Sequence, residues 1–313
     1  DATIALKTDA ANNVVVKGAG NTTITTVALT DVASIDASAL TGTLTYTNLD
    51  TATTGIIGSS TAKNTLNLTS TGVTVTAITG SANDEVTLNA STGTLNVTTG
   101  AGDDKVTVNG ALTGKATIDM GAGTNDTLVL ANTNALAAAA DNSSQVTLSG
   151  VETIVVNQNN TLFNNVLLDG KAYTIKTVND THGIIVNAYD KSGVATTAST
   201  DLSGLTLSTA TGSAVAGVTI NGLANAVNTI KGTSGNDTIT AGTKADIIDL
   251  SKGGADVVTI AAGDSTWLST SNNNVDKIAS FSTSGLTASA DKLVFSVGTV
   301  TKANAVADVE AAT

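Results

Sequence analysis

Residues 232 to 259 read GTSGNDTIT AGTKADIID L SKGGADVVT, and this stretch decides the fold. It contains three imperfect nine-residue repeats of the pattern G-G-x-G-x-D-x-U-x, where U is a large aliphatic residue. The first keeps Gly232, Gly235, Asp237 and Ile239. The second keeps Gly242, Asp246 and Ile248, and the third, after the inserted Leu250, keeps Gly254, Asp256 and Val258. Glycine permits the left-handed backbone that a tight turn needs, Asp holds the turn, and the aliphatic residue two positions on starts a strand. Each repeat is thus a turn and a short strand, too small to bury its apolar side alone. Stacking the repeats as coils of a solenoid solves that problem.

The same grammar extends outward. ITGSANDEVTL (78 to 88), TTGAGDDKVTV (98 to 108) and KGTSGNDTIT (231 to 240) each end a Gly-rich turn in Asp84, Asp104 or Asp237, with an aliphatic residue two positions later. TIDMGAGTNDTLVL (117 to 130) aligns without gaps on IIDLSKGGADVVTI (247 to 260), pairing Asp119 with Asp249 and Asp126 with Asp256. Asp84, Asp104 and Asp126 recur at roughly the length of one coil with two or three strands. Short β-prone runs fill the intervals: Val14–Val16, Thr22–Val27, Thr43–Thr47, Thr65–Leu68, Val73–Ile78, Val86–Leu88, Thr94–Val97, Val106–Val108, Thr127–Leu130 and Val146–Leu148. Only Asn132–Asp141 and Lys302–Val309 read as helical turns. The expected class is all-β, an elongated parallel β-solenoid or β-roll. We expect a solenoid segment with spaced Gly-Asp turns over 1–150, a further β segment over 151–229, and a β-roll with a C-terminal cap over 230–313. Trp267, Phe281 and Phe295 are the candidate cap.

Composition narrows the function. The chain has 313 residues and a formal net charge of −12, and every one of its basic residues is Lys. With no Arg fork and no basic patch, nucleic acid is not an expected partner, and no stretch is long enough for membrane insertion. Cys and Pro are absent and aromatics are 2%. Disulfide scaffolds and Cys-ligated metals are therefore excluded. Val- and Ile-rich alternating runs argue against disorder, the competing reading of so polar a chain. The single histidine, His182, has no orienting partner in sequence. No nucleophile elbow or P-loop occurs, and the Gly18-Ala19-Gly20 and Gly121-Ala122-Gly123 runs lack a following helix. No catalytic residue is expected, and the chain reads as a non-enzyme. No leader is visible and the first residue is Asp, so a fragment or processed form is expected.

The turns carry the chemistry. Calcium is a hard cation that takes six to eight oxygens at about 2.3–2.6 Å in a tolerant geometry. Glycines aim backbone carbonyls inward, and Asp237, Asp246 and Asp256 offer carboxylates, with the spaced set Asp84, Asp103, Asp104 and Asp126 as further candidates. Asp119 and Asp249 enter as the partners in the aligned segments. Gly235 and Gly254 shape the turns. Close carboxylates repel without a cation, so binding of several calcium ions and folding are expected to be coupled.

These repeats resemble those of RTX (repeats-in-toxin) proteins. The whole chain, through SIDASALTGTL (34 to 44), VTLSGVETIVV (146 to 156), and VDKIASFSTS followed by DKLVF (275 to 295), is similar to bacterial RTX-type surface-layer proteins. The resemblance implies calcium-loaded parallel β-solenoids, type I secretion to the outside of the cell, and self-assembly into a two-dimensional surface lattice. A cell-surface polysaccharide is the implied candidate for anchoring. It also implies that Asp237, Asp246 and Asp256 ligate through carboxylates and Asn236, Ala245 and Ala255 through carbonyls. An RTX adhesin or extracellular fibre subunit, or a calcium-binding module of a larger secreted enzyme, are the alternative readings.

Overall fold

A computed structural model describes residues 1–6, 12–26, 32–47, 53–132, 146–179, 183–190, 194–209, 211, 217–261, 275–282 and 290–295. The chain forms two compact units, Asp1–Gln158 and Asn159–Thr313.

In the first unit, strands alternate between two sheets. One holds, in spatial and sequence order, Ala2–Leu6, Thr22–Thr26, Leu44–Thr47, Asn64–Leu68, Glu85–Leu88, Lys105–Val108, Thr127–Leu130 and Thr153–Val156. The other runs Asn12–Gly18, Val32–Leu40, Gly55–Ile57, Thr74–Ile78, Thr94–Thr98, Ala116–Asp119 and Val146–Ser149. The pairings within each are parallel. A strand therefore meets its neighbour one full coil later, which is the connectivity of a parallel β-solenoid. The second unit repeats the plan. Thr161–Asn164, Ile184–Asn187, Val218–Asn221, Thr238–Thr240, Val257–Ile260 and Lys292–Phe295 form one parallel sheet, and Thr197–Asp201, Val227–Lys231, Ile247–Asp249 and Lys277–Ala279 another. Thr174–Thr177 pairs with Thr206–Thr209. The described strands between 151 and 229 are thus paired in parallel from coil to coil, as in the flanking segments.

Alternation along each strand builds the core. The row Ile24, Tyr46, Leu66, Val86, Val106, Leu128 and Ile154 is in register from coil to coil, and each member is buried to 1% exposure or less. Across the interior, Leu95 and Ala116, then Val97 and Ile118, pair on the facing sheet. The outward positions between them carry Thr45, Thr65, Thr87 and Thr107, which explains why a β-rich chain is also so rich in threonine. Among the described residues the only α-helix is Asn165–Leu168, begun by the Asn164 side chain accepting from Val166 N–H. No helical turn is expected there from sequence. The helical turns expected at Asn132–Asp141 (apart from Asn132) and Lys302–Val309, and the cap residue Trp267, lie outside the described residues. Phe281 is half-buried and Phe295 is exposed.

Turn glycines are stacked as well. Gly100 (φ 99°) and Gly121 (φ 77°) have left-handed backbones, and a Cβ on either would run into the glycine carbonyl one coil back, Gly80 or Gly100.

Because one interior row holds each coil to the next, Leu66→Ala should cost about 3 kcal/mol in equilibrium denaturation. Thr87→Ala, on the outer face, should stay within about 0.5 kcal/mol. Equal losses from the two variants would contradict the assigned register.

Candidate metal centre

The turn aspartates sit at coil edges, immediately before a strand, where the chain reverses between sheets. Asp84, Asp104, Asp126, Asp237, Asp246 and Asp256 are all at most 1% exposed. Burial of a carboxylate needs compensation, and the compensation comes from the neighbouring coil. Asp84 Oδ1 accepts Asn64 N–H at 2.6 Å, Asp104 Oδ1 accepts Asp84 N–H at 2.8 Å, and Asp126 Oδ1 accepts Asp104 N–H at 2.7 Å. Glu152 Oε2 continues the series by accepting Asp126 N–H at 2.9 Å.

Among the described residues the second unit has two such ladders. In one, Asp237 Oδ1 accepts Val218 N–H, Asp256 Oδ1 accepts Asp237 N–H, and Asp291 Oδ1 accepts Asp256 N–H, at 2.8, 2.8 and 2.9 Å. In the other, Asp246 Oδ1 accepts Asn228 N–H at 2.6 Å and Asp276 Oδ1 accepts Asp246 N–H at 2.8 Å. The three consecutive nonapeptides thus divide between two ladders: Asp237 and Asp256 in one, Asp246 in the other. The spaced set Asp84, Asp104 and Asp126 has the same construction, so the two groups are one motif.

The second carboxylate oxygens differ. Asp84 Oδ2 accepts Gly80 N–H at 3.1 Å, and Asp237 Oδ2 accepts Thr233 N–H at 2.6 Å while the Thr233 hydroxyl donates to Oδ1 at 2.8 Å. Asp104 Oδ2, Asp126 Oδ2 and Asp246 Oδ2 are buried and have no hydrogen-bond partner among the described residues. The Thr99 hydroxyl beside Asp104 gives its proton to the Met120 carbonyl at 3.0 Å. Loss of hydration pushes Asp104 up to about 6 and Asp256 up to about 7. Burial likewise raises Asp126, Asp237 and Asp246.

The remaining candidates lie elsewhere. Asp103 is exposed and accepts from Thr124 N–H, Asn125 N–H and the Asn125 amide. Asp119 accepts from the Ser149 hydroxyl at 2.9 Å, and Asp249 closes a turn on Ser251 N–H at 2.9 Å. None of these three joins a ladder. Asn236 accepts Ala255 N–H through its side chain at 2.8 Å, bridging two coils. Gly235 and Gly254 are stacked, since a Cβ on Gly254 (φ 122°) would meet the Gly235 carbonyl and an Asp256 carboxylate oxygen. Ala245 directly precedes Asp246 in its turn.

Sequence reasoning missed Asn64, Asn228, Glu152, Asp276 and Asp291. A rule of side-chain oxygen followed two positions on by an aliphatic residue finds them all, through Leu66, Ile230, Ile154, Ile278 and Leu293.

Among the described residues no three acidic or imidazole groups converge to hold a metal. A bound cation would therefore take one or two ladder carboxylates and complete its shell with backbone oxygens and water. The donor set suits a hard ion: buried oxygens without donors at Asp104, Asp126 and Asp246, and turns whose glycines leave no Cβ in the way.

Burial makes a pH prediction for the metal-free protein. The folded state holds protons on Asp104 and Asp256 up to about pH 6 and 7, whereas an unfolded Asp loses them near about 3.9. In that window the folded state binds more protons, so stability rises as pH falls. In EGTA, Tm at pH 5 should exceed Tm at pH 7.5 by about 5 °C. A Tm that climbs from pH 5 to 7.5 would refute the buried, uncompensated state of these carboxylates.

No protein-family model, curated protein or solved structure matches the chain.

Proposed function

We propose that this chain is a structural, non-catalytic subunit of a bacterial surface layer, rigidified by several calcium ions outside the cell and assembling with copies of itself into a two-dimensional lattice. One observation supports it most: ladders of buried turn aspartates in which Asp104, Asp126 and Asp246 each retain a carboxylate oxygen with no donor among the described residues. A hard divalent cation neutralises such a row and lets the coils stack without mutual repulsion. The reading assigns Asp104, Asp126, Asp246 and Asp256 the carboxylate role, with turn carbonyls such as those of Asn236, Ala245 and Ala255 as further donors.

The supply of carboxylates bears on location. Sites built from one or two carboxylates and neutral carbonyls bind calcium weakly, in the range about 10⁻⁴–10⁻³ M found in extracellular modules. Such sites fill outside a cell, where a chain without Cys is exported unfolded and folds on meeting calcium. The resemblance to RTX-type surface-layer proteins adds type I secretion, the lattice and a cell-surface polysaccharide as anchor. The net charge of −12 gives the subunits a further need for divalent cations when packed side by side.

Electron microscopy of the purified protein in millimolar calcium, beside a count of bound ions by elemental analysis, tests the proposal. Ordered sheets with several ions per chain are expected. Filaments or monomers with bound calcium would replace the lattice by an adhesin or fibre subunit, and absence of bound calcium would remove the reading. Asp246→Ala should weaken calcium affinity at least about tenfold and disperse the sheets. Asp36→Ala, on the outer face of a strand, should leave affinity within about twofold. Equal behaviour of the two variants would overturn the site assignment.

A further inference from the structure

Two of the three ladders begin not with a carboxylate but with an asparagine, and the two asparagines have matching environments. Asn228 is 1% exposed. Its Oδ1 accepts Leu223 N–H at 2.8 Å, which fixes the orientation of the amide. Its Nδ2 then lies among four oxygens: the Leu223 and Ala226 carbonyls at 3.0 Å, the Ala241 carbonyl at 2.8 Å and Asp246 Oδ1 at 3.0 Å. Asn64, with no measurable exposure, repeats this. Its Oδ1 accepts Ser59 N–H at 2.6 Å. Its Nδ2 donates to the Ser59 carbonyl at 2.9 Å, the Ala62 carbonyl at 3.1 Å and Asp84 Oδ1 at 3.0 Å.

An amide group has two protons to offer, and each of these nitrogens faces three or four acceptors. The cage is therefore richer in oxygen than a neutral donor requires. One coil beyond Asn228 stands Asp246, whose Oδ2 has no donor among the described residues. One coil beyond Asn64 stands Asp84, satisfied by the Asn64 amide and Gly80 N–H, and the first oxygen without a donor among the described residues comes at the next coil, on Asp104. One coil back, the register position is Leu44 or Ala198, neither of which has a side-chain oxygen. Each asparagine thus separates a coil with no side-chain oxygen at this position from a ladder in which a donorless carboxylate oxygen appears at the next coil, as at Asp246, or at the one after, as at Asp104.

We propose that Asn64 and Asn228 are neutral plugs, whose amide nitrogens occupy an oxygen cage that would otherwise demand a divalent cation, and that they set where metal loading of each ladder begins. The proposal rests on the calcium reading for the ladders beyond the plugs. The plug itself is a property of the cage. Thr233, whose backbone and hydroxyl satisfy both oxygens of Asp237, serves the same end at the start of the third ladder.

Asn228→Asp tests this, with calcium chloride as the probe. The new carboxylate oxygen would face the four cage oxygens, so in EGTA the full-length variant should melt about 10 °C below the parent. In millimolar calcium most of that loss should be regained, and the bound-ion count should rise by one per chain. Asn64→Asp should do the same independently. Asn228→Ala, which removes the amide and adds no charge, should melt low in EGTA and in calcium alike. Should Asn228→Asp be unfolded in EGTA, calcium should restore its β-sheet circular dichroism.

An Asp variant as stable as the parent in EGTA, or one that calcium fails to restore, would overturn the plug. A parent that ignores EGTA beside an Asp variant rescued by calcium would uphold the plug and refute the calcium reading of the parent ladders.

Discussion

Along the ladders of both units, coil register depends on one interaction: a buried carboxylate at a coil edge accepting the backbone N–H of the equivalent residue one coil away. At a parallel sheet edge, where strand pairing stops and the turn begins, that N–H would otherwise be buried without a partner. The carboxylate satisfies it with a charge-assisted bond at 2.6–2.9 Å, shorter and stronger than a neutral one. Because the donor belongs to one coil and the acceptor to the next, each bond fixes the register of two turns. The aliphatic residue two positions on is thereby committed to the interior row.

The same interaction creates the electrostatic problem that gives the fold its chemistry. One oxygen of each carboxylate is occupied by the neighbouring coil, and the charge is then held away from water beside others like it. Asp104 feels both Asp84 and Asp126, and Asp256 feels Asp237 and Asp291, after the larger effect of desolvation. Protons, cations or local donors can resolve the conflict. Asp237 uses Thr233, and Asp84 uses Asn64 and Gly80. Asp104, Asp126 and Asp246 have no such donor among the described residues, so the ladder interiors are where a cation has most to contribute.

How much of this could be read from sequence follows from which signals are local. Gly-x-Asp turns and the aliphatic residue after them are contiguous, so the strands at Thr127–Leu130 and Thr94–Thr98 and the turn positions of the six aspartates were legible, whereas the burial of those aspartates was not. Asn64 and Asn228 were not, because asparagine abounds in this chain and only stacking shows which two face an oxygen cage. The division of Asp246 from Asp237 and Asp256 was also hidden. Adjacent nonapeptides look like one run in sequence, yet each supplies only half a coil. Asp119 ends the strand Ala116–Asp119 between the buried Ile118 and Met120 and so faces outward, and Asp103, one residue before Asp104 in the turn, is exposed.

The ladders also explain how the fold tolerates irregular coils. Successive members of the first ladder are 20, 20, 22 and 26 residues apart, and the second unit has steps of 18, 19, 30 and 35. The peg itself does not change: an acidic oxygen meets the preceding ladder N–H whatever length of chain intervenes. Where the interval from Asp126 lengthens to 26 residues, the acidic residue is Glu152, with one methylene more than Asp. That residue's own N–H and the next both turn to the Asp126 carbonyl, at 3.3 and 3.0 Å. The longer side chain spans a slightly altered turn and keeps Ile154 in the interior row. Coil length can thus drift while the charge ladder and the hydrophobic row stay continuous.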